Sequence, residues 1–210
     1  MSFYNENPKG PIDPTPMVGM VGLIEDADKR VTQSFKKEGD VIVLLGENTG
    51  DLSASEYLYV IHKLKKGNLQ IDIEREKAVQ EACREAIESG IVNSAHDASE
   101  GGLAITLAES CITDKSKMIG AAIKLDAADN IRKDAMLFGE APSRIVVSLA
   151  RDKLSFLEKI AKKHNIPYEI LGTTGGKNFS VQYGEAAKID LPLAALSDAW
   201  RNAIPRRLQK

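Results

Sequence analysis

The most constraining feature of the sequence is a polar loop between a predicted strand and a predicted helix. The loop spans residues 96–102 and leads directly into an apolar segment with helical periodicity. A helix leaves its first backbone N–H groups without intrahelical partners, and Gly101 and Gly102 leave room for a phosphate to approach them. Asp97 would repel a phosphate unless a divalent cation lay between them. One interpretation of the loop is therefore a site for a Mg²⁺–nucleotide complex.

The same loop also has a purely structural interpretation, which the pattern alone favours. Ser99 is then the N-cap of the helix, the two glycines make the turn, and His96 is a hydrogen-bonded histidine of the core. The loop is not a P-loop, because no Gly-Lys-Ser/Thr follows, and its glycine spacing differs from the dinucleotide-binding fingerprint. Both interpretations stay open at this level.

Composition narrows the class of function. The 28 lysines and arginines nearly balance the 30 aspartates and glutamates among 210 residues, so no basic surface for nucleic acid or membrane is expected. No apolar run approaches the length of a membrane span, and the N-terminus does not resemble a signal peptide, which predicts a cytoplasmic protein. Cys83 and Cys111 form no CxxC motif and are predicted to be buried apolar residues. Three scattered histidines argue against a zinc site.

Apolar runs and helical periodicities alternate along the chain. They predict an α/β or α+β fold with a mixed sheet covered by helices. Residues 17–24 are expected to form a buried strand, since this apolar run contains small residues that allow close packing. Trp200 is expected to anchor a C-terminal helix in the core.

A second polar turn, between a predicted helix and a predicted strand, carries Glu140 and Arg144. Arg144 is suited to clamp a phosphate, and Glu140 is suited to hold a metal ion or a ribose hydroxyl. A surface ion pair is the alternative, which the spacing alone favours.

Several segments of the chain, in order, resemble the phosphoribosylformylglycinamidine synthase family (the PurL family) of purine biosynthesis. The resemblance covers essentially the whole chain. The similar segments are Phe3-Tyr4-Asn5-Glu6, Pro14-Thr15-Pro16 with the run up to Asp26, Ser55-Glu56-Tyr57-Leu58, His96-Asp97-Ala98-Ser99-Glu100-Gly101-Gly102-Leu103, Leu137-Phe138-Gly139-Glu140 with Arg144, and Ile189-Asp190-Leu191-Pro192.

The resemblance implies that the chain is a fragment of a longer synthase built from duplicated two-part units. Residues 1–14 would be the tail of a preceding ATP-binding-type domain. Residues 15–210 would form a C-terminal domain like that of aminoimidazole ribonucleotide synthetase. The upstream domains of the same polypeptide and a glutaminase subunit that supplies ammonia would be its partners.

The reaction implied by the resemblance is the ATP-dependent amidation of formylglycinamide ribonucleotide. ATP phosphorylates the amide oxygen, and ammonia displaces the phosphate. Ser2 would contact the substrate, Asp97 would bind Mg²⁺, and Ser99 would contact the nucleotide, with Gly101 and Gly102 beside it. No catalytic residue is assigned to this chain, so we expect it to be inactive alone.

Two departures from the family pattern accompany the resemblance. Leu52-Ser53-Ala54 replaces a Gly-Gly before Ser55, which puts phosphate contact by that turn in doubt, and Gly139 replaces a serine. Two alternatives to the synthase interpretation stay open. One is a structural domain without a ligand site of its own, and the other is a domain of another ATP-dependent synthetase or kinase of the same fold.

Overall fold

Valine- and isoleucine-rich runs form the centre of a seven-stranded mixed sheet in the computed structural model of the chain. The structure describes residues 5–8, 10–12, 17–126, 131–184 and 187–209. The strands are β1 Glu6–Asn7, β2 Gly10–Pro11, β3 Val41–Leu45, β4 Ser94–Asp97, β5 Ala121–Leu125, β6 Ile145–Leu149, β7 Tyr168–Thr174, β8 Asn178–Tyr183 and β9 Ala187–Pro192. The helices are α1 Glu56–His62, α2 Ile73–Glu88, α3 Gly102–Ile112, α4 Lys133–Phe138, α5 Leu154–Lys163, α6 Leu193–Arg201 and α7 Ala203–Leu208.

The large sheet has the strand order β4-β6-β3-β7-β5-β8-β9, and β1 and β2 form a separate antiparallel pair. All neighbouring strands in the large sheet are antiparallel except β5 and β8, which are parallel. The central strand β3 is buried along its whole length, as its uninterrupted apolar sequence predicts. The expected mixed sheet with covering helices is confirmed.

Helices cover both faces of the sheet and give it two apolar layers. On one face, α3 packs Leu103 and Leu107 against Ile42 and Leu44 of β3. On the other face, the buried stripe of α2 and the apolar side of α5 meet the remaining residues of β3. Cys83 and Cys111 are buried in these layers, where burial raises the pKa of the two thiols to about 11 and about 12 respectively.

Strand register brings the candidate loops to one edge of the sheet. Leu45, the last residue of β3, pairs with Ile145 of β6 and with Tyr168 of β7. Asp97, the last residue of β4, also pairs with Ile145. Because these pairs are antiparallel, the segments 46–55, 98–101 and 139–144 all lie at this edge.

The predicted buried strand at residues 17–24 is wrong for this structure. The segment forms no strand, and its large apolar side chains are strongly exposed, with Met17 at 100% and Leu23 at 99%. A strand needs a neighbouring strand to satisfy its backbone groups, and none of the described residues supplies one here.

The expected core position of Trp200 is also wrong. Its side chain is 46% exposed, and the Arg201 guanidinium lies 5.2 Å from its ring centroid. The predicted helix divides near Asn202 into α6 and α7, and α6 buries Leu193 and Ser197 instead of the tryptophan.

Among the described residues, no helix combines the length and apolar character that a bilayer crossing requires.

Ala54 has a left-handed backbone conformation, with φ of 56°. Its N–H donates to the Lys66 carbonyl at 2.9 Å, which fixes this conformation against the following loop. Such a conformation costs an L-residue about 1–2 kcal/mol, and glycine adopts it freely.

We expect Ala54→Gly to raise the free energy of unfolding by about 0.5–1 kcal/mol, since relief of the left-handed strain exceeds the added entropy of the unfolded chain. Chemical denaturation measures the change. The matched control is Ala195→Gly in the exposed part of α6, which should lower the free energy of unfolding by about 1 kcal/mol. A decrease of similar size in both variants would contradict the strain assigned to Ala54.

Candidate functional site

The predicted nucleotide loop lies between the end of β4 and the start of α3, at the sheet edge described above. The Asp97 side chain is 74% exposed, and Ser99 is exposed beside it. The prediction that Ser99 caps the helix is wrong, because α3 begins at Gly102 and Gly101 holds the N-cap position without a side-chain hydrogen bond. Both polar side chains therefore face solvent and are free of a capping role.

His96 occupies the opposite environment from its neighbour Asp97. Its side chain is only 11% exposed, and Nε2 lies 2.9 Å from Oε2 of Glu109 on α3. Nδ1 lies 3.5 Å from the Asp97 carboxylate. This pairing ties the end of β4 to α3 and agrees with the interpretation of His96 as a hydrogen-bonded histidine of the core.

Both glycines of the loop use their N–H groups within the protein. The Gly101 N–H donates to Oε1 of Glu140 at 2.7 Å, and the Gly102 N–H donates to the Ser99 carbonyl at 2.9 Å. A Cβ on Gly102 would lie 2.3 Å from the Gly139 carbonyl oxygen, so this glycine lets α3 pack against the end of α4. Gly102 therefore makes its close approach to protein backbone. A phosphate that bound at the Gly101 N–H would have to displace the Glu140 carboxylate.

Glu140 accepts backbone N–H groups from two distant segments. Its Oε1 lies 2.7 Å from the Gly101 nitrogen and 2.9 Å from the Glu56 nitrogen at the start of α1. Its own N–H donates to the Asp51 carbonyl at 3.0 Å. The predicted surface ion pair with Arg144 is absent from the described contacts. The carboxylate joins α1 and α3, and the backbone N–H of Glu140 bonds to the loop after β3.

Arg144 is a buried structural residue, with only 2% of its surface exposed. Its guanidinium donates to the Gly139 carbonyl at 2.6 Å, the Ala141 carbonyl at 2.9 Å and Oδ1 of Asn48 at 2.9 Å. Burial lowers the pKa of Arg144 to about 10, and the negative charge of Glu140 opposes this shift. The predictions of a phosphate clamp and of a surface ion pair are both wrong, because protein oxygens already engage three of its nitrogens.

Sequence reasoning missed the contribution of Asn48. Its Oδ1 accepts from Arg144, and its Nδ2 donates to the Met136 carbonyl in α4 at 3.0 Å. The only signal in the sequence was a polar turn after a buried strand. We call the set formed by Asn48, Glu140, Arg144 and Gly101 the edge junction.

A cavity of about 480 Å³ lies beside the start of α1. Ser55, Glu56 and Tyr59 line one side of it, and residues 64–67 line the other. Glu56 thus lines this cavity and also donates its backbone N–H to Glu140.

The structure brings Asp97, Ser99, Gly101 and Gly102 onto one loop, whereas Ser2 lies outside the described residues. Within the described ranges, no group of three or more His, Cys, Asp or Glu side chains is arranged to hold a metal ion. Mg²⁺ is commonly held by one or two carboxylates together with nucleotide phosphates and water. The exposed Asp97 carboxylate fits that mode as a single protein ligand.

We expect Arg144→Lys to lower the free energy of unfolding by about 2–3 kcal/mol. A single ammonium group cannot serve the three acceptors of the guanidinium fork, so buried carbonyl oxygens would lose their partners. Chemical denaturation measures the change. The control is Arg84→Lys on the surface of α2, where the side chain is 66% exposed and the expected change is within about 0.5 kcal/mol. Equal, small effects of both substitutions would contradict the structural role of Arg144.

Comparison with known proteins agrees with the fold and with the predicted resemblance. The family model described as "AIR synthase related protein, C-terminal domain" matches residues 37–184. A phosphoribosylformylglycinamidine synthase subunit PurL from Thermoanaerobacter sp. (strain X514) is 43% identical over 211 residues, which cover 100% of this chain and 28% of the relative. The corresponding subunit from Synechocystis sp. is 42% identical over 219 residues, with the same coverage. The chain thus spans about 28% of the length of these curated relatives.

Solved structures show the same fold. T. maritima PurL complexed with FGAR has a TM-score of 0.69 and 25% identity, covering 81% of this chain and 30% of that chain. The hydrogenase maturation protein HypE in complex with ATP has a TM-score of 0.54 and 14% identity, covering 79% of this chain and 53% of that one, and shows the fold alone. Because the family model matches well over half of its residues, the chain belongs to the family of AIR synthase related proteins and carries their C-terminal domain.

Proposed function

We propose that this chain is a C-terminal part of a phosphoribosylformylglycinamidine synthase, which uses ATP to amidate formylglycinamide ribonucleotide. The observation that carries the proposal is the 43% identity to a PurL subunit along the entire chain. The structural likeness to T. maritima PurL in complex with FGAR supports it. The proposal places the chain among the ATP-dependent C–N ligases of purine biosynthesis, acting in the cytoplasm.

The chain alone is expected to lack a complete active site. It spans 28% of the length of its PurL relatives, and the family resemblance assigns no catalytic residue to it. The groups that phosphorylate the substrate would then come from other parts of the synthase. The role of this chain would be to frame a nucleotide site.

Asp97 and Ser99 are the residues that we assign to that nucleotide site. The Asp97 carboxylate would bind a Mg²⁺ ion, which neutralises charge on the nucleotide phosphates when it is bound. The Ser99 hydroxyl would donate to a phosphate oxygen. Gly101 and Gly102 would shape the loop, since their N–H groups already donate within the protein. The exposure of Asp97 and Ser99 on one loop supports this assignment.

The remaining domains of the synthase are the partners that we propose for the exposed segment 17–24. This segment is strongly apolar and unpaired within the described structure, and most of the relatives' length lies outside this chain. A neighbouring strand would satisfy its backbone groups and cover its side chains. The predicted domain boundary after residue 14, the substrate contact by Ser2 and the glutaminase subunit that supplies ammonia remain predictions.

We expect Asp97→Asn to weaken Mg²⁺-dependent ADP binding by about tenfold or more, because the amide is a much poorer Mg²⁺ ligand than the carboxylate. Isothermal titration with ADP measures the affinity in the presence and absence of Mg²⁺. The protein used is this chain joined to the remaining domains of the synthase.

The matched control is Asp114→Asn, which removes a carboxylate from the turn after the C-terminal end of α3, the end opposite to the candidate loop, and should leave ADP affinity unchanged. Unchanged ADP affinity in Asp97→Asn, with unchanged thermal stability, would refute the metal role of Asp97. It would favour the alternative of a structural domain without its own ligand site.

A further inference from the structure

One carboxylate oxygen holds together two backbone segments that are far apart in the sequence. Oε1 of Glu140 accepts the N–H of Gly101, 39 residues away, and the N–H of Glu56, 84 residues away. A carboxylate that accepts backbone N–H groups makes charge-assisted hydrogen bonds, which are stronger than neutral ones. Glu140 therefore links the starts of two helices, α1 and α3.

The turn that carries Glu140 is itself fixed by buried contacts. The Arg144 guanidinium donates to the carbonyls of Gly139 and Ala141, the residues on either side of Glu140. The Glu140 N–H donates to Asp51. The backbone on both sides of Glu140 is therefore hydrogen-bonded, and this fixes the position from which its carboxylate extends.

The predicted nucleotide loop is attached to this turn at two points. The Ala98 N–H donates to the Arg144 carbonyl at 2.9 Å, and the Gly101 N–H donates to the Glu140 carboxylate. Ser99 lies between these two attachments, and Asp97 comes immediately before the first. Without the Glu140 contact, the Ala98 bond would still attach the loop to this turn, while the Gly101 end would lose its charge-assisted bond.

The second bond of Glu140 reaches the cavity beside α1. Glu56 lines that cavity, and its N–H shares the Oε1 acceptor with Gly101. A movement of the nucleotide loop that shifts Glu140 would therefore also weaken the hydrogen bond at the Glu56 N–H.

We propose that Glu140 is a positioning residue that holds the loop of Asp97 and Ser99 and the start of α1 in one arrangement. Its effect on ligand binding rests on the proposed function, in which this loop binds a Mg²⁺–nucleotide complex. Its effect on the two backbone segments does not depend on any ligand. Acceptance of both hydrogen bonds by Oε1 carries the role, and the carboxylate charge adds to the strength of those bonds.

The test compares Glu140→Ala with Glu140→Gln, which removes the charge but keeps an acceptor oxygen. Residue-resolved amide hydrogen exchange is measured on the whole chain. In Glu140→Ala, protection of the Gly101 and Glu56 amides should fall together by about tenfold, the size expected for one lost charge-assisted bond. In Glu140→Gln it should stay within about threefold of the wild type. Exchange of the Val43 amide in β3 reports on global stability. The control variant is Glu88→Ala on the surface of α2, measured by the same exchange experiment.

The same variants, joined to the remaining synthase domains, are titrated with MgADP. Affinity should fall about tenfold in Glu140→Ala and change little in Glu140→Gln. Unchanged exchange at Gly101 and Glu56 in Glu140→Ala would overturn the proposal. So would equal losses in the two Glu140 variants, because the charge would then be the decisive property. If the wild type binds no MgADP, the proposed function of the loop fails, and the exchange data still decide the positioning role.

Discussion

The buried guanidinium of Arg144 is the interaction on which the candidate site depends. Its planar set of donors reaches two carbonyls of its own turn and the side chain of Asn48, which follows β3. Arginine is suited to this role because its donors have fixed directions and it stays charged. The end of α4, the start of β6 and the loop after β3 are thereby fixed relative to one another.

Glu140 extends this arrangement from the sheet edge to the predicted nucleotide loop, residues 96–102. Glu140 lies four residues before Arg144 in the sequence. Its negative charge favours the protonated form of the buried guanidinium. Its Oε1 accepts the backbone N–H groups of Gly101 and Glu56, which holds these two residues relative to the fixed turn. The edge junction thus consists mainly of bonds between side chains and backbone, which hold loops in place without a continuous strand or helix. Asp97 and Ser99 are exposed on the outside of this junction.

Patterns in the sequence correctly predicted the elements that depend mainly on residues close together in the chain. The apolar run at 41–45 forms the central strand, and the loop 96–102 lies between a strand and a helix as expected. The failures concern residues whose environment depends on segments that are distant in the sequence. Arg144 was misjudged because its burial depends on a distant segment, the loop after β3, whose Asn48 accepts one of its hydrogen bonds, and no spacing rule reveals that contact. The segment 17–24 has the composition of a buried strand, but a composition does not state which chain region covers it.

The most direct test of the central claim measures formylglycinamide-ribonucleotide-dependent ATP hydrolysis with ammonium as the nitrogen donor. The chain is assayed alone and then mixed with a polypeptide that contains the remaining domains of the synthase. Phosphate release is expected only in the mixture, since the proposed role of this chain is to frame a site whose catalytic groups lie in other domains of the synthase. Substrate-dependent hydrolysis by the chain alone would contradict the account, because a complete active site would then have to lie within these 210 residues.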